Sequence, residues 1–388
     1  MDRPARQLRR RRARKRRLVA LGAVALCAFL LGVAVSWARS GGEAGGTASG
    51  GSSGRATTTS ASPSSGPPPS VHVVSGGDVM PDRSVETYAE ANGPEAVLAG
   101  IAPILEKGDA AWFNLEGVTS TLGTPKTEKV YTFEGPPEFA PAIAAAGVDL
   151  VTMGNNHSVD YGRAALRDTI ARLDDAGVQV VGAGKDFEDA HAPAIVRTPS
   201  GASIGFLGYT DVWWPGFEAT KSHAGVAQAF TDIGRMQQDV KALAAQVDYV
   251  VVGFHWGYEY QHFPVSQQTK EGHAAIDAGA DLVIGHHPHV LQGFETYKRR
   301  IIAYSLGDLV FDHQAVETGQ TVLVDATLKP DGVSARLVPV YVSTTGIPDV
   351  QHGSSARTIL SLVREYSAPL DTGVKLAGDV AYVHAGKK

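Results

Sequence analysis

In ADLVIGHHPHVLQG, residues 280–293, an apolar run of strand length stops at three histidines within four positions. The chain has only 13 histidines, so three at one strand end is a concentrated use of them. A buried imidazole must satisfy two ring nitrogens, which makes three a poor choice for a core. At the end of a strand they can instead converge on a metal ion or an anion.

The same grammar recurs upstream, where short β-rich apolar runs each end in a polar side chain. VHVVSGG is followed by Asp78, WFNL by Glu116, LVTMG by Asn155, Asn156 and His157, and VVVGF by His255. Amphipathic pieces alternate with these runs, including PEAVLAGIAPILEKG, PEFAPAIAAAG, YGRAALRDTIARLDDAG and DIGRMQQDVKALAAQV. Such alternation predicts an α/β domain with largely buried strands. Parallel strands collect their carboxyl ends on one edge, where α/β proteins place ligand sites. From GFETYKRRIIAYSLGD to VSARLVPVYVST strand-like runs follow one another with few helices, which predicts a second, more antiparallel sheet.

The 388 residues divide into three segments. Residues 1–38 hold ten Lys or Arg between Arg3 and Arg17, then 21 uncharged residues from Leu18 to Ala38, enough for a transmembrane helix with the basic cluster cytoplasmic. A signal peptide cleaved near Ser36-Trp37-Ala38 is the rival expectation. Residues 39–70 are rich in Gly, Ser, Thr and Pro and are expected to form a flexible stalk of roughly 30 Å mean reach. Residues 71–388 form the expected extracytoplasmic domain. Beyond the N-terminal segment 25 Lys and Arg face 39 Asp and Glu, a net −14 that weighs against sequence-independent nucleic-acid binding. An anionic substrate would then need a local cationic centre, which a metal supplies. The single cysteine, Cys27, lies in the apolar run, so the exported part has neither disulfides nor cysteine-ligated metal.

Each polar feature also has a structural explanation. Asp78 can cap a turn, Glu116 can open a helix, GNNH can be a turn, and His255 can be a core histidine. Asp160, three residues past His157, suits either the N-cap of the helix that follows or the orientation of that imidazole, and the N-cap is the favoured role. Trp256, Tyr258, Glu259 and Tyr260 line a pocket mouth or pack beneath a loop. Trp213 and Trp214 anchor a loop or stack on sugars. Taken together, Asp, Glu, Asn and His at five strand ends suit Mn, Zn or Fe, as one ion or two.

GGDVM, NLEG, GNNH, FHWGYEY, GHHPHV and YSLGDLVFD, in this order, resemble the CapA type of capsule-synthesis protein across Val71 to Ile347. The resemblance implies poly-γ-glutamate synthesis or export and a calcineurin-like metallophosphoesterase fold, a four-layer α/β/β/α sandwich. Carried over, the metallophosphoesterase pattern makes Asp78 the first-strand aspartate and Glu116 the metal-bridging acid. Asn156, His255, His287 and His289 become the remaining metal ligands, with His157 as the leaving-group acid, Asp160 behind it, and His286 extra. Two departures stand out. Met80 occupies a position where that pattern has histidine, and the bridging acid is glutamate rather than aspartate. Asp308, where the family commonly has asparagine, is expected to support rather than ligate. The implied function is a membrane-tethered, metal-dependent phosphoesterase-like hydrolase acting on an anionic capsule polymer or phosphoester. The alternative is a non-catalytic accessory or scaffold subunit serving a membrane-bound polymer synthase.

Overall fold

Nine residues of the run VHVVSGGDV form a strand, Val71–Val79, of which only His72 is exposed. A strand buried on both faces belongs at the centre of a layered domain. The computed structural model describes residues 67–386, Thr231 excepted. The basic cluster, the proposed anchor or signal, and nearly all of the Gly/Ser/Thr/Pro-rich stalk lie outside the described residues. Among the described residues no helix is long and apolar enough to cross a membrane.

The Val71–Val79 strand pairs in parallel with Ala110–Leu115, which continues to Leu150–Thr152 and Gln179–Val181. Its other side pairs antiparallel with Gln320–Lys329, followed by Gly332–Val342, Val380–His384 and Val374–Ala377. A second, six-stranded sheet is built on four parallel strands, Ser203–Thr210, Tyr249–His255, Leu282–His286 and Arg300–Ala303. The late antiparallel strands therefore do not make a sheet of their own. They extend the first sheet by covering the free edge of its central strand, while RIIA joins the second sheet in parallel.

Three hydrophobic clusters define the layering. Val73, Trp112 and Leu150 of one sheet pack with Phe206, Val251 and Ile284 of the other in a shared core. Because side chains alternate along a strand, Val74, Phe113 and Val151 face the opposite way, against Leu105, Ile143, Leu166 and Leu173. On the far side of the second sheet, Leu207, Val250, Val252 and Val283 meet Met236, Val240 and Ala275. The order is helix, sheet, sheet, helix. Trp112 is the keystone of the middle. Its ring lies 5.6 Å from Phe206, and its indole N–H donates to Ser75 Oγ at 2.6 Å.

Local chemistry fixes the helices. Gly162–Ala176 buries Ala165, Leu166, Thr169 and Leu173 on one stripe and stops at Gly177, whose φ of 83° few other residues accept. PEAVLAGIAPILEKG does not form one helix. It breaks into a 3₁₀ turn, Pro94–Val97, and a single α-turn, Ala102–Leu105. Gly100 between them and Pro103 within the second piece interrupt the hydrogen-bond ladder.

Candidate metal centre

The central strand reaches the site through GGD. A methyl group on Gly77 would stand 1.9 Å from the Gly307 carbonyl oxygen, and that carbonyl accepts the Asp78 N–H at 3.0 Å. Only glycine admits this crossing chain, residues 304–310, which also donates the Leu306 N–H to Gly285 in the second sheet. The two sheets are thereby tied at the carboxyl edge. Asp78, Asn114 and Asp308 stand in register there on neighbouring strands, and His255 and His286 stand in register on the other sheet.

Asp78, Glu116, Asp160 and Asp308 are buried, as are His157, His255, His286, His287 and His289. Glu116 Oε1 has no hydrogen-bond partner among the described residues. It lies 3.8 Å from His157 Nε2, 3.9 Å from His255 Nε2 and 3.8 Å from His289 Nε2. Those separations are too long for hydrogen bonds. They leave room for an ion between the carboxylate oxygen and the imidazoles. Donor atoms of Glu116, His255 and His287 fall within 4.8 Å of one another, as do those of Asp78, His289 and Asp308, and those of Glu259, His287 and His289. The residues present fit a divalent ion.

Asp78 Oδ1 accepts from Asn114 Nδ2 at 2.8 Å, and Oδ2 accepts the His287 N–H at 2.9 Å. Asn156, half-buried, places Oδ1 2.7 Å from His255 Nε2. Its neighbour Asn155 braces the turn, accepting from the His157 N–H and Ser158 Oγ. GNNH is therefore both a turn and a site. His287 and His289 have φ of 94° and 56°, conformations that non-glycine residues rarely adopt. Strain of this kind collects where function requires it.

Burial works against Asp78 as an anion, but His286, His289 and the His287 N–H outweigh it and hold its carboxyl below the usual value. Burial, with Asp78 beside it, pushes Glu116 well up. Burial also lowers His157 to about 4, His287 to about 3, and His255 well below the ordinary imidazole value. Neutral imidazoles are the form that binds metal. His289 is the exception. Burial opposes its charge, yet Asp308 and Glu116 raise it well above normal.

Asp160 is not a helix cap. The cap position of the following helix is Tyr161, without a side-chain cap bond. Asp160 Oδ2 lies 2.6 Å from His157 Nδ1 and accepts the Phe133 N–H at 3.0 Å, while Oδ1 accepts from Lys129 Nζ at 2.6 Å. Lys129 was not foreseen, because it comes from a loop with no periodicity. Its ammonium also donates to the Asn156 carbonyl at 2.7 Å and faces the Trp214 and Phe217 rings at 5.4 and 5.3 Å. Trp214 thus anchors its loop, whereas Trp213 is 53% exposed. Trp256 is core, stacked on Phe254 and donating to the Tyr304 carbonyl, while Tyr258 and Tyr260 are exposed. Met80 is wholly buried with Phe133 and Phe311, so this position, the departure noted in the sequence, is part of an apolar cluster.

The fold is α/β, and the buried acids and imidazoles gathered at the carboxyl edge of its two facing sheets form candidate metal-binding clusters. The chain belongs to the bacterial capsule synthesis protein PGA_cap family, whose profile matches residues 72–313. It is 34% identical over 273 residues to the capsule biosynthesis protein CapA of Bacillus anthracis, covering 69% of this chain and 66% of that one. It is 32% identical over 287 residues to the PGA biosynthesis protein CapA of Bacillus subtilis strain 168, covering 73% and 75%. A probable polyglutamine synthesis accessory protein of Mycobacterium tuberculosis is 30% identical over 223 residues, covering 54% and 57%.

Proposed function

We propose that this CapA-type protein is a divalent-metal-dependent, phosphoesterase-like hydrolase. In this proposal it acts at the cell envelope in the synthesis, release or anchoring of an anionic polymer such as poly-γ-glutamate. The observation that carries the proposal is Glu116 Oε1, buried without a hydrogen-bond partner among the described residues and 3.8–3.9 Å from three imidazole nitrogens. The layering of helix, sheet, sheet, helix supports the calcineurin-like metallophosphoesterase type. Asp78, Glu116, Asn156, His255, His287 and His289 would hold one or two ions of the Mn, Zn or Fe kind. When bound, such ions supply Lewis acidity and positive charge beside an anionic ester.

The chain's own groups do the rest. Asp160 fixes the His157 ring with Nδ1–H toward its carboxylate, which leaves Nε2 facing Glu116 and the cleft. His157 is neutral at rest, so it first accepts a proton at Nε2 from the attacking water and then gives it to the departing oxygen. Lys129 pairs with Asp160 at 2.6 Å and so braces the carboxylate that orients the ring. With the N-terminal apolar run as anchor, the domain would stand outside the membrane within reach of a membrane-bound synthase.

The second reading is an accessory subunit that keeps the fold without turnover. Met80, apolar and buried at the position where the resembled pattern has histidine, favours it. Hydrolysis of a phosphomonoester and a phosphodiester, before and after chelation and metal return, separates the two. Metal-restored hydrolysis supports the enzyme, and no turnover under any metal supports the accessory subunit.

A further inference from the structure

We propose that Asp308 is a direct ligand of a second, oxygen-rich ion position that it forms with Asp78 and His289, so that the centre offers two chemically unequal sites. The proposal rests on the metal-centre reading above.

Asp308 and Asp78 are register partners on a parallel strand pair, at 2% and 0% exposure. Their carboxylates face the same imidazole, with His289 Nδ1 at 2.8 Å from Asp308 Oδ1 and 3.7 Å from Asp78 Oδ2. Donor atoms of all three lie within 4.8 Å of one another. Glu116 Oε1 lies 3.8 Å from the other nitrogen of His289, so the ring stands between this pair of carboxylates and a third. Buried carboxylates gathered in this way need positive charge among them. Lys129 is committed to Asp160 at 2.6 Å and cannot serve them. A divalent ion can.

The other cluster, Glu116, His255 and His287, offers two imidazoles and one carboxylate. Ligand chemistry then separates the positions. The imidazole-rich one suits Zn or Fe, and the carboxylate-rich one suits Mn or Mg. Met80 contributes nothing to either, enclosed as it is with Phe133 and Phe311.

The competing role for Asp308 is to orient His289 by accepting its Nδ1–H. Asp308→Asn distinguishes the two, because asparagine keeps an acceptor oxygen for that N–H but removes the anionic ligand. Purified full-length protein is stripped of metal, loaded with one equivalent of Zn²⁺, and titrated with Mn²⁺ while free Mn²⁺ is followed by electron paramagnetic resonance. The wild type is expected to take up about one Mn²⁺ beside the Zn²⁺. Asp308→Asn should bind that Mn²⁺ at least tenfold more weakly and retain the Zn²⁺. Equal Mn²⁺ affinity in the variant overturns Asp308 as a ligand, a wild type that binds Zn²⁺ and no Mn²⁺ overturns the second site, and either result leaves the metal-centre reading standing. A wild type that binds neither ion overturns both.

Discussion

Replacing Asp160 with asparagine removes one charge from a place that solvent scarcely reaches. Asp160 is fully buried and the Lys129 side chain is 5% exposed, with 2.6 Å between Nζ and Oδ1. The carboxylate accepts from three nitrogens, Lys129 Nζ, His157 Nδ1 and the Phe133 N–H. Asparagine offers one acceptor oxygen, so its amide NH₂ must face one of those donors. Removing one partner of a buried pair costs about 3–5 kcal/mol, because the other charge is left uncompensated. Asp160→Asn should therefore destabilise by about 3–5 kcal/mol. Lys129→Met in the same background removes the stranded ammonium and should recover about 2 kcal/mol. Urea unfolding of the wild type, both single variants and the double variant measures the coupling. In folded Asp160→Asn protein, turnover should fall roughly 10–100-fold as His157 loses its orienting partner. Single-variant effects that add to within about 0.5 kcal/mol would show that the pair is not the brace we describe.

Three further outcomes follow from the same physics. Gly285→Ala should destabilise by about 3 kcal/mol or more, since its methyl would stand 2.0 Å from the Tyr304 carbonyl oxygen, and a loss under about 1 kcal/mol in urea would contradict the packing. Glu271, fully buried, is pushed up to about 8 by burial and by Asp211. The folded state therefore holds a proton that the unfolded state releases near its ordinary value of 4.5, and stability from this group is lost as pH rises from about 4.5 through 8. Glu271→Gln should be about as stable as the wild type at pH 5 and more stable at pH 8.5, by at most about 4 kcal/mol in urea unfolding, and a gap that does not widen with pH would refute the assignment. His157→Ala should retain its metal while losing at least about 100-fold in turnover, measured by elemental analysis beside hydrolysis.

Most of the strands were legible because each is an apolar, β-rich run with a polar side chain at its end, and the convergence at one edge followed from parallel topology. Partner choice was not legible. Gln320–Lys329 carries no local mark that it returns to the central strand rather than starting another sheet. The helices Ser84–Asn92 and Ser266–Ala278 escaped because their sequences are polar, the first burying only Val85 and Ala89. Within the site, Asp160 was ambiguous because an aspartate before a helix can turn forward to cap it or back to an imidazole. Lys129 lies in an irregular loop, where sequence gives no hint that an ammonium is drawn inward. The supporting role expected of Asp308 rests on the asparagine common at that position in the family, and its nearness to Asp78 follows from a crossing chain that no local pattern marks.

The most direct test of the metal centre is elemental analysis of the purified protein against a Glu116→Gln variant, which removes the carboxylate common to the imidazoles. The wild type should carry one to two equivalents of Mn, Zn or Fe, and the variant should lose at least one while remaining folded by circular dichroism. A wild type free of transition metal even after incubation with these ions, or a variant with unchanged content, would contradict a metal centre built on Glu116.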